Sequence, residues 1–219
     1  MTSSGDRRPI AARRLRISVA VANWLAARRV SPNAISLAGL ICGALAGLAF
    51  ALTVSLPELA RLLWIAGALL VQLRLAANMF DGMVAIVRGI ASPLGELYNE
   101  IPDRLSDSAV LIGLGVAGGD WALGALAALA AMATAYVRAI GKAAGAPSDF
   151  GGPMAKQQRM FLVTLAALWL AFAPTSWQQG LAPGNLLRAL LLLVIVGAGL
   201  TAGRRLRHIA AALRGPNRK

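Results

Sequence analysis

The chain has 219 residues, of which 58% are hydrophobic and 14% are charged. A typical soluble domain carries about 25% charged residues and is less apolar, so this composition excludes an ordinary soluble fold and favours a polytopic membrane protein. The net charge of +13 fits an anionic lipid surface or an anionic substrate. Nucleic acid is disfavoured as a partner, because aromatic residues make up only 5% of the chain and the basic residues lie between apolar segments.

The first predicted element is a cytoplasmic amphipathic arm over residues 1–33. Ile17, Val21, Trp24 and Leu25 fall on one helical stripe, with arginines at both ends. This pattern predicts an interfacial helix on an anionic leaflet, and a solvated basic arm is the alternative. A cleavable signal peptide is not expected, because no compact apolar core precedes a small-residue cleavage site.

Six apolar segments follow, and a membrane span needs about 20 such residues. They cover about residues 34–54, 59–77, 105–117, 121–137, 160–173 and 186–202. The third and fifth are short, and we expect their polar ends to continue as helix. The sequence therefore predicts an all-α polytopic membrane protein. It is a single domain over residues 1–219, with six transmembrane helices after the amphipathic interfacial helix.

The distribution of basic residues predicts the orientation. With the N-terminus in the cytoplasm, all but Arg61 and Arg188 of the 22 lysines and arginines fall on the cytoplasmic side. Cytoplasmic loops of membrane proteins carry such an excess. We therefore expect an integral protein of the bacterial inner membrane with both termini in the cytoplasm.

The first span contains glycines at every fourth position: Gly39, Gly43 and Gly47. This spacing lets two helix backbones approach closely. It indicates either packing within the bundle or the seam of a homodimer. We favour packing within the bundle, because six helices in a small chain need close contacts.

Five of the nine acidic residues lie in a short stretch at the cytoplasmic ends of spans two and three: Asp81, Glu96, Glu100, Asp103 and Asp107. At 100° per residue, Asn99 and the four acids of span three point into about one quadrant of a helix. Asn78 and Asp81 share a face at the end of span two. Two helices joined by a turn would thus oppose their oxygen ligands, which suits a hard cation such as Mg²⁺ or Mn²⁺. Solvated helix caps are the alternative.

Residues 78–107 resemble the motif of the CDP-alcohol phosphatidyltransferases, D-x2-D-G-x2-A-R-x8-G-x3-D-x3-D. The sequence here reads Asn78-x2-Asp81-Gly82-x2-Ala85-Ile86-x8-Gly95-x3-Asn99-x3-Asp103. The spacing agrees throughout, and Pro32-Asn33-Ala34-Ile35-Ser36 is similar to the start of the family's first span. The resemblance implies transfer of a phosphatidyl group from CDP-diacylglycerol to an alcohol acceptor in phospholipid biosynthesis, with release of CMP.

The resemblance also assigns roles to individual residues. Asp81 and Asp103 would bind Mg²⁺ or Mn²⁺, and Asp103 would be the general base for the acceptor hydroxyl. Gly82, Ala85 and Gly95 would accommodate the CDP moiety. From their place in the next cytoplasmic loop, Arg138, Lys156 and Arg159 are candidates for binding the acceptor or the lipid phosphate. Alternatively, the charges of these three residues only set the orientation of the chain in the membrane.

The motif departs from the family at three positions. Asn78 and Asn99 replace aspartates, and Ile86 replaces the arginine. Amide oxygens still coordinate hard cations, so both asparagines remain candidate ligands. Glu100 is the best substitute for the lost charge, and Arg88 replaces the arginine only if the helix has unwound before it.

Two other classes of function compete with the enzyme. The first is a catalytically impaired relative that binds the nucleotide-lipid or scaffolds membrane enzymes, and the two asparagines favour it. The second is a small transporter, which the lack of charges near the membrane midplane disfavours. The alcohol acceptor cannot be named from the sequence.

Reporter fusions at Met1 and Lys219 test the predicted orientation. We expect both reporters to signal from the cytoplasm, because the basic residues concentrate on that side. An external signal at either end would contradict the six-span arrangement and would put the acidic cluster on the wrong face of the membrane.

Overall fold

The computed structural model describes Arg13 and residues 15–90, 92–180 and 182–215. Within these residues every regular element is helical. The helices are α1 (Arg16–Ala27), α2 (Pro32–Ser55), α3 (Ala60–Val87), α4 (Pro93–Ala117), α5 (Trp121–Ala143), α6 (Lys156–Phe172), α7 (Thr175–Gly180) and α8 (Pro183–Arg214), with a 3-10 turn (Pro57–Leu59) before α3. Most of the predicted arm before α1, residues 1–12 and 14, lies outside the described residues.

Local sequence signals set the starts of three long helices. Ser31 and Ser92 accept hydrogen bonds from the backbone N–H groups of Ala34 and Gly95, both at 3.1 Å, and a proline follows each serine. Asp120 caps α5 in the same way, from the Leu123 N–H at 2.9 Å. Such caps satisfy backbone donors that lack a partner in the first helical turn.

Each of the six predicted spans coincides with one helix, apart from Leu59, which lies in the 3-10 turn, and Ala173, which follows the end of α6. Four segments of the described chain are long and apolar enough to cross a membrane: Pro32–Ser55, Pro57–Val87, Trp121–Ala143 and Pro183–Arg214. Helix α4 carries the charged motif in its first half, and α6 has only 17 residues. As expected, the helices continue beyond the short apolar segments, α4 to Pro93 and α6 to Lys156.

The glycines of α2 serve packing within the bundle. Helix α2 packs extensively against both α3 and α4, which have little contact with each other. A Cβ atom at Gly43 would lie 2.3 Å from the Cβ of Ser106 in α4, and one at Gly47 would lie 2.2 Å from the Ala109 carbonyl oxygen. Because only glycine allows this approach, α2 lies close enough for its first turn to reach the motif.

Helix α1 lies across the end of α3 that carries the motif. Ala22 is fully buried and packs against Met79 and Met83. On the rest of the helix, Ile17 and Trp24 are 71% and 52% exposed. Helix α1 therefore presents apolar side chains outward while it covers the end of α3.

Successive long helices run in opposite directions, so that the same end of the bundle collects the charged residues. Side-chain contacts at this end join the first turns of α2, α4 and α6 to the last turns of α3 and α5. The pairs that establish the arrangement are Ser36–Asp81, Asn78–Asn99, Lys156–Asp103 and Arg138–Glu100. This end holds the motif, and the described part of the opposite end contains α7.

The substitution Gly43→Ala tests the packing of α2 against α4. We expect it to lower the free energy of unfolding by about 1–3 kcal/mol, because the added methyl group overlaps Ser106. The control is Gly199→Ala in α8, where a Cβ atom meets nothing within 4 Å. Thermal unfolding in detergent compares the two variants, and equal unfolding temperatures would contradict the packing described for α2.

Candidate active site

The four polar residues at the motif's aspartate positions meet across a small cavity. Asn78 Nδ2 donates to Asn99 Oδ1 at 2.7 Å, which joins α3 to α4. Asp81 and Asp103 also line this cavity, together with Ser36, Arg74, Pro102 and Ser106. The helical spacing predicted that α3 and α4 would oppose their polar faces here, and the structure confirms that arrangement.

Asp81 is fixed by α2 and by its own helix. Its side chain is buried, with 2% of the residue exposed. The Ser36 hydroxyl donates to Oδ2 at 2.6 Å, and the Gly82 N–H donates to Oδ1 at 2.5 Å. Both donors stabilise a carboxylate, so Asp81 keeps its orientation toward the cavity.

Asp103 accepts hydrogen bonds from two buried cations. The Lys156 ammonium, from the first turn of α6, contacts both carboxylate oxygens, and Arg74 Nη2 donates to Oδ1 at 2.9 Å. Lys156 also donates to Asn78 Oδ1 at 2.6 Å. The ammonium therefore lies between an asparagine at one motif position and an aspartate at another.

A second ion-pair group lies one turn deeper in the bundle. Asp107 is 2% exposed and lies 2.7 Å from Arg74 Nη2 and 3.2 Å from Arg159 Nη2. Arg74 also donates to the Ser106 hydroxyl at 2.9 Å, and Arg159 donates to the Met154 carbonyl at 2.8 Å. Asp107 is thus a buried ion-pair partner rather than a solvated cap.

The charges of this buried group balance without any added ion. We define the ionic cluster as the three cations Arg74, Lys156 and Arg159 and the three acids Asp81, Asp103 and Asp107, all of which are buried. Charges inside a protein are tolerated when they are paired and hydrogen-bonded. Each cation of the cluster has an aspartate partner, and these ion pairs link α3, α4 and α6. Among the described residues, Arg74 Nη1, Asp107 Oδ1 and Arg159 Nε have no hydrogen-bond partner.

Glu100 lies outside the cavity lining and pairs with arginines. Arg104 Nη2 donates to Oε2 at 2.6 Å, and the Arg138 guanidinium contacts Oε1. Arg138 also lies 4.9 Å from the centre of the Phe150 ring. Both oxygens of Glu100 are therefore engaged away from the Asn78–Asn99 pair, and its role as a metal ligand stays a prediction.

The positions expected to accommodate CDP lie beside the cavity. Among the residues that the structure describes, a Cβ atom at Gly82 would meet only the Arg13 guanidinium, at 3.7 Å, and one at Gly95 would meet only the Ser92 hydroxyl, at 3.4 Å. Ala85 is half-buried. These small residues leave room for a ligand beside α3 and the start of α4.

The arginine that the motif lacks is not replaced by Arg88. The Arg88 guanidinium donates to the carbonyls of Arg29 at 3.4 Å and Val30 at 3.1 Å, which fastens the end of α3 to the α1–α2 connection. Ile86 is 54% exposed and also lies off the cavity lining. Since α3 continues to Val87 without unwinding, the condition for a substitution by Arg88 is not met.

The loop before α6 positions Lys156 and Arg159. Gly152 has φ of 133°, and a Cβ atom there would lie 2.3 Å from Thr201 Cγ2, so the loop approaches α8 only with glycine at this position. The Thr201 hydroxyl accepts from the Met154 N–H at 3.0 Å, and Arg205 donates to the Gly151 carbonyl at 3.1 Å. The loop is therefore tied to α8 just before α6 begins.

Asp149 adds a further tie between this loop and α8. Its carboxylate accepts from the Gly151 N–H at 2.7 Å and contacts His208 Nδ1 at 2.9 Å. Partial burial opposes ionisation of Asp149, but these two partners outweigh it and lower the pKa of the carboxyl group. The His208 side chain is 54% exposed, and this contact joins it to the loop.

The donor set fits one divalent cation more readily than two. No group of three or more histidine, cysteine or acidic residues suited to a metal occurs in the part of the chain that the structure describes. Two carboxylates and two amide oxygens remain around the cavity, and these are hard ligands suited to Mg²⁺ or Mn²⁺. However, the Lys156 ammonium already occupies the space between Asn78 and Asp103.

Three site residues were not identified from the sequence. Arg74, Ser36 and Ser106 all line the cavity, and Arg74 bonds to both Ser106 and Asp103. A signal for Arg74 was present, because it lies four residues before Asn78 and so shares its helical face. Ser106 had the same kind of signal, because it lies three residues after Asp103, and Ser36 stands in the segment that resembles the start of the family's first span. Neither position shows by itself how closely α2 packs against α3 and α4.

A family model covers most of the chain. The model for the CDP-alcohol phosphatidyltransferases matches residues 29–201. This range includes the cavity, the ionic cluster and the loop before α6. No curated protein has a significant match to the chain.

Solved structures share the fold. Three crystal structures of phosphatidylinositol phosphate synthase from Mycobacterium tuberculosis superpose with TM-scores of 0.70, 0.71 and 0.69, at 23%, 21% and 21% identity. They contain bound CDP-DAG, manganese with citrate, and no ligand, respectively. The matches cover 94%, 92% and 91% of this chain and 99%, 93% and 100% of the others.

The substitution Asp107→Asn tests whether the ionic cluster stabilises the fold. We expect it to lower the free energy of unfolding by about 3–5 kcal/mol, because Arg74 and Arg159 lose a buried counter-charge. The control is Glu58→Gln, an exposed acid at the opposite end, with an expected change within about 0.5 kcal/mol. Thermal unfolding in detergent measures both, and an equal effect of the two variants would refute the structural role of Asp107.

Proposed function

The chain belongs to the CDP-alcohol phosphatidyltransferase family of phospholipid biosynthesis and is therefore a phosphatidyltransferase. From this premise we propose that it transfers the phosphatidyl group of CDP-diacylglycerol to an alcohol and releases CMP. The observation that carries the proposal is the pairing of the motif positions of α3 with those of α4 around one cavity. That pairing puts Asp81 and Asp103 at a common site beside small residues.

CDP-diacylglycerol is the proposed donor. One of the structural relatives has been crystallised with CDP-DAG bound, and that protein has the same fold. In this chain, Gly82, Ala85 and Gly95 would leave space for the nucleotide and its pyrophosphate. The exposed apolar side chains around the motif end of the bundle, such as Ile86 and Leu97, suit a donor whose tails remain in lipid.

The proposed reaction is a displacement at the phosphorus atom that carries diacylglycerol. A bond forms from the acceptor oxygen to this phosphorus while the bond from the phosphorus to the CMP oxygen breaks. The hydroxyl proton of the acceptor passes to the Asp103 carboxylate, and CMP leaves with the bonding electron pair. Lys156 and Arg74 hold the Asp103 carboxylate in position through their hydrogen bonds to it.

The family depends on a divalent metal ion, and a relative has been crystallised with manganese. In this chain the carboxylates of Asp81 and Asp103 would hold the ion, because the Asn78 oxygen accepts from Lys156 and the Asn99 oxygen accepts from Asn78. When bound, such an ion neutralises pyrophosphate charge and orients the donor. We propose that this ion is Mg²⁺ or Mn²⁺.

The acceptor would be held by basic residues near the cavity. Glu100 pairs with both Arg104 and Arg138, and Arg104 also lies 3.7 Å from Asp103 Oδ2. Of these two arginines, Arg138 is therefore the one whose charge would serve a phosphate group. Lys156 and Arg159 were the other candidates, and both are engaged with buried aspartates. Arg138 is therefore the better candidate for an anionic acceptor, whose chemical identity stays open.

The membrane arrangement completes the proposal. We place α2, α3, α4, α5, α6 and α8 across the bilayer as six spans, with the motif end and both termini in the cytoplasm of a bacterial cell. The alternating helix directions and the distribution of basic residues support this placement. Helix α1 would lie at the interface, with Ile17 and Trp24 toward lipid.

A second candidate function is a relative that binds the nucleotide-lipid without turning it over. The observation that favours it is the loss of two motif carboxylates to Asn78 and Asn99, with an ammonium group beside them. Against it, Asp81 and Asp103 retain positions on the cavity. Turnover of CDP-diacylglycerol separates the two candidates.

Release of CMP from CDP-diacylglycerol by the purified protein tests the proposal. We expect metal-dependent release that a chelator abolishes. We expect Asp103→Asn to reduce it at least about 100-fold, because a general base contributes about 10²–10⁴-fold. The matched control Asp120→Asn changes a helix cap at the opposite end, where asparagine caps as well as aspartate, and should retain activity.

Two outcomes would contradict the proposed enzyme. Full activity in excess chelator would remove the metal ion from the reaction. Unchanged activity in a folded Asp103→Asn variant would remove Asp103 as the base. Binding of CDP-diacylglycerol without any release of CMP, tested with a range of alcohols and alcohol phosphates, would favour the lipid-binding candidate.

A further inference from the structure

We propose that the Lys156 ammonium is a built-in cation that takes the place of one divalent ion, so that the site of this chain binds a single metal ion. The inference rests on the proposed function for the identity of the site. It concerns the number of ions and which side chain sets that number.

The first argument is the charge that the motif has lost. The family pattern has four aspartates, and this chain has Asn78 and Asn99 at two of those positions. The loss of two negative charges equals the charge of one divalent ion. If a site with both substitutions held two divalent ions, two positive charges would stay uncompensated at low dielectric. Such a burial of charge is costly.

The second argument is the position of the Lys156 nitrogen. It lies 2.6 Å from Asn78 Oδ1 and contacts both oxygens of Asp103. Asn78 in turn bonds to Asn99 at 2.7 Å. The ammonium thus bonds to oxygens from both helices of the motif, so these oxygens are already engaged and would not be available to a second ion.

The third argument is that Lys156 is held in place. The residue is 9% exposed and stands in the first turn of α6, where the positive end of the helix dipole disfavours a cation. The preceding loop is tied to α8 through Thr201 and Arg205. This placement is unfavourable for a lysine unless the aspartate opposite it compensates, and Asp103 does so.

The fourth argument is the charge balance with substrate. The ionic cluster carries three cations and three acids before any ligand binds. A pyrophosphate diester brings two negative charges, which one divalent ion neutralises. A second divalent ion would leave the buried site with a surplus of two positive charges.

Binding of Mn²⁺ to the purified protein, measured from the electron paramagnetic resonance of free Mn²⁺, tests this inference without relying on activity. We expect one Mn²⁺ per chain for the parent protein. We expect two for the triple variant Asn78→Asp, Asn99→Asp, Lys156→Gln, which restores both carboxylates and removes the ammonium. The double variant Asn78→Asp, Asn99→Asp, which keeps Lys156, should bind its second Mn²⁺ at least about tenfold more weakly than the triple variant.

A matched control replaces Lys142 in the same background. Lys142 is an exposed lysine near the end of α5, so Asn78→Asp, Asn99→Asp, Lys142→Gln should bind Mn²⁺ like the double variant. Two Mn²⁺ ions or none in the parent would overturn the inference, whether or not the variants fold. Equal second-site affinity in the folded double and triple variants would also overturn it. One bound Mn²⁺ in a parent that releases no CMP would leave this inference intact and defeat the proposed function.

Discussion

Neutralisation of buried carboxylates is the constraint on which the motif end of this protein depends. Asp103 and Asp107 lie on α4 within a largely apolar bundle, and each needs a cation to remain charged there. Arg74 from α3 contacts both, and α6 supplies Lys156 and Arg159 to one aspartate each. The three helices are therefore joined by ion pairs at the same place where the motif residues meet.

Close packing makes this ionic cluster possible. The glycines of α2 bring that helix against α4, and the same approach lets Ser36 bond to Asp81 at 2.6 Å. At the other side, Gly152 lets the loop before α6 lie against Thr201 of α8. Small residues thus set the distances over which the charged residues act, although they take no part in the chemistry themselves.

The asparagines of the motif and Lys156 are best understood together. Asn78 bonds to Asn99 and to Lys156, so that two amides stand where the family pattern has carboxylates and an ammonium group lies beside them. The chain keeps one carboxylate on each helix of the pair and reduces the negative charge around them. Under the proposed function, such a site would retain the pairing of α3 with α4 and would require fewer metal ions than a site with four carboxylates.

The sequence by itself determined the helices, the motif spacing and the opposed polar faces of α3 and α4, because these depend on local periodicity and apolar length. It also led to Glu100 as the substitute for lost charge, since Glu100 is the neighbour of Asn99 in the chain. Only the tertiary structure decided that Glu100 pairs with Arg138, and that Lys156 reaches Asp103 from 53 residues away. Partners this distant in sequence are set by how α6 packs against the bundle, and no local pattern encodes that distance.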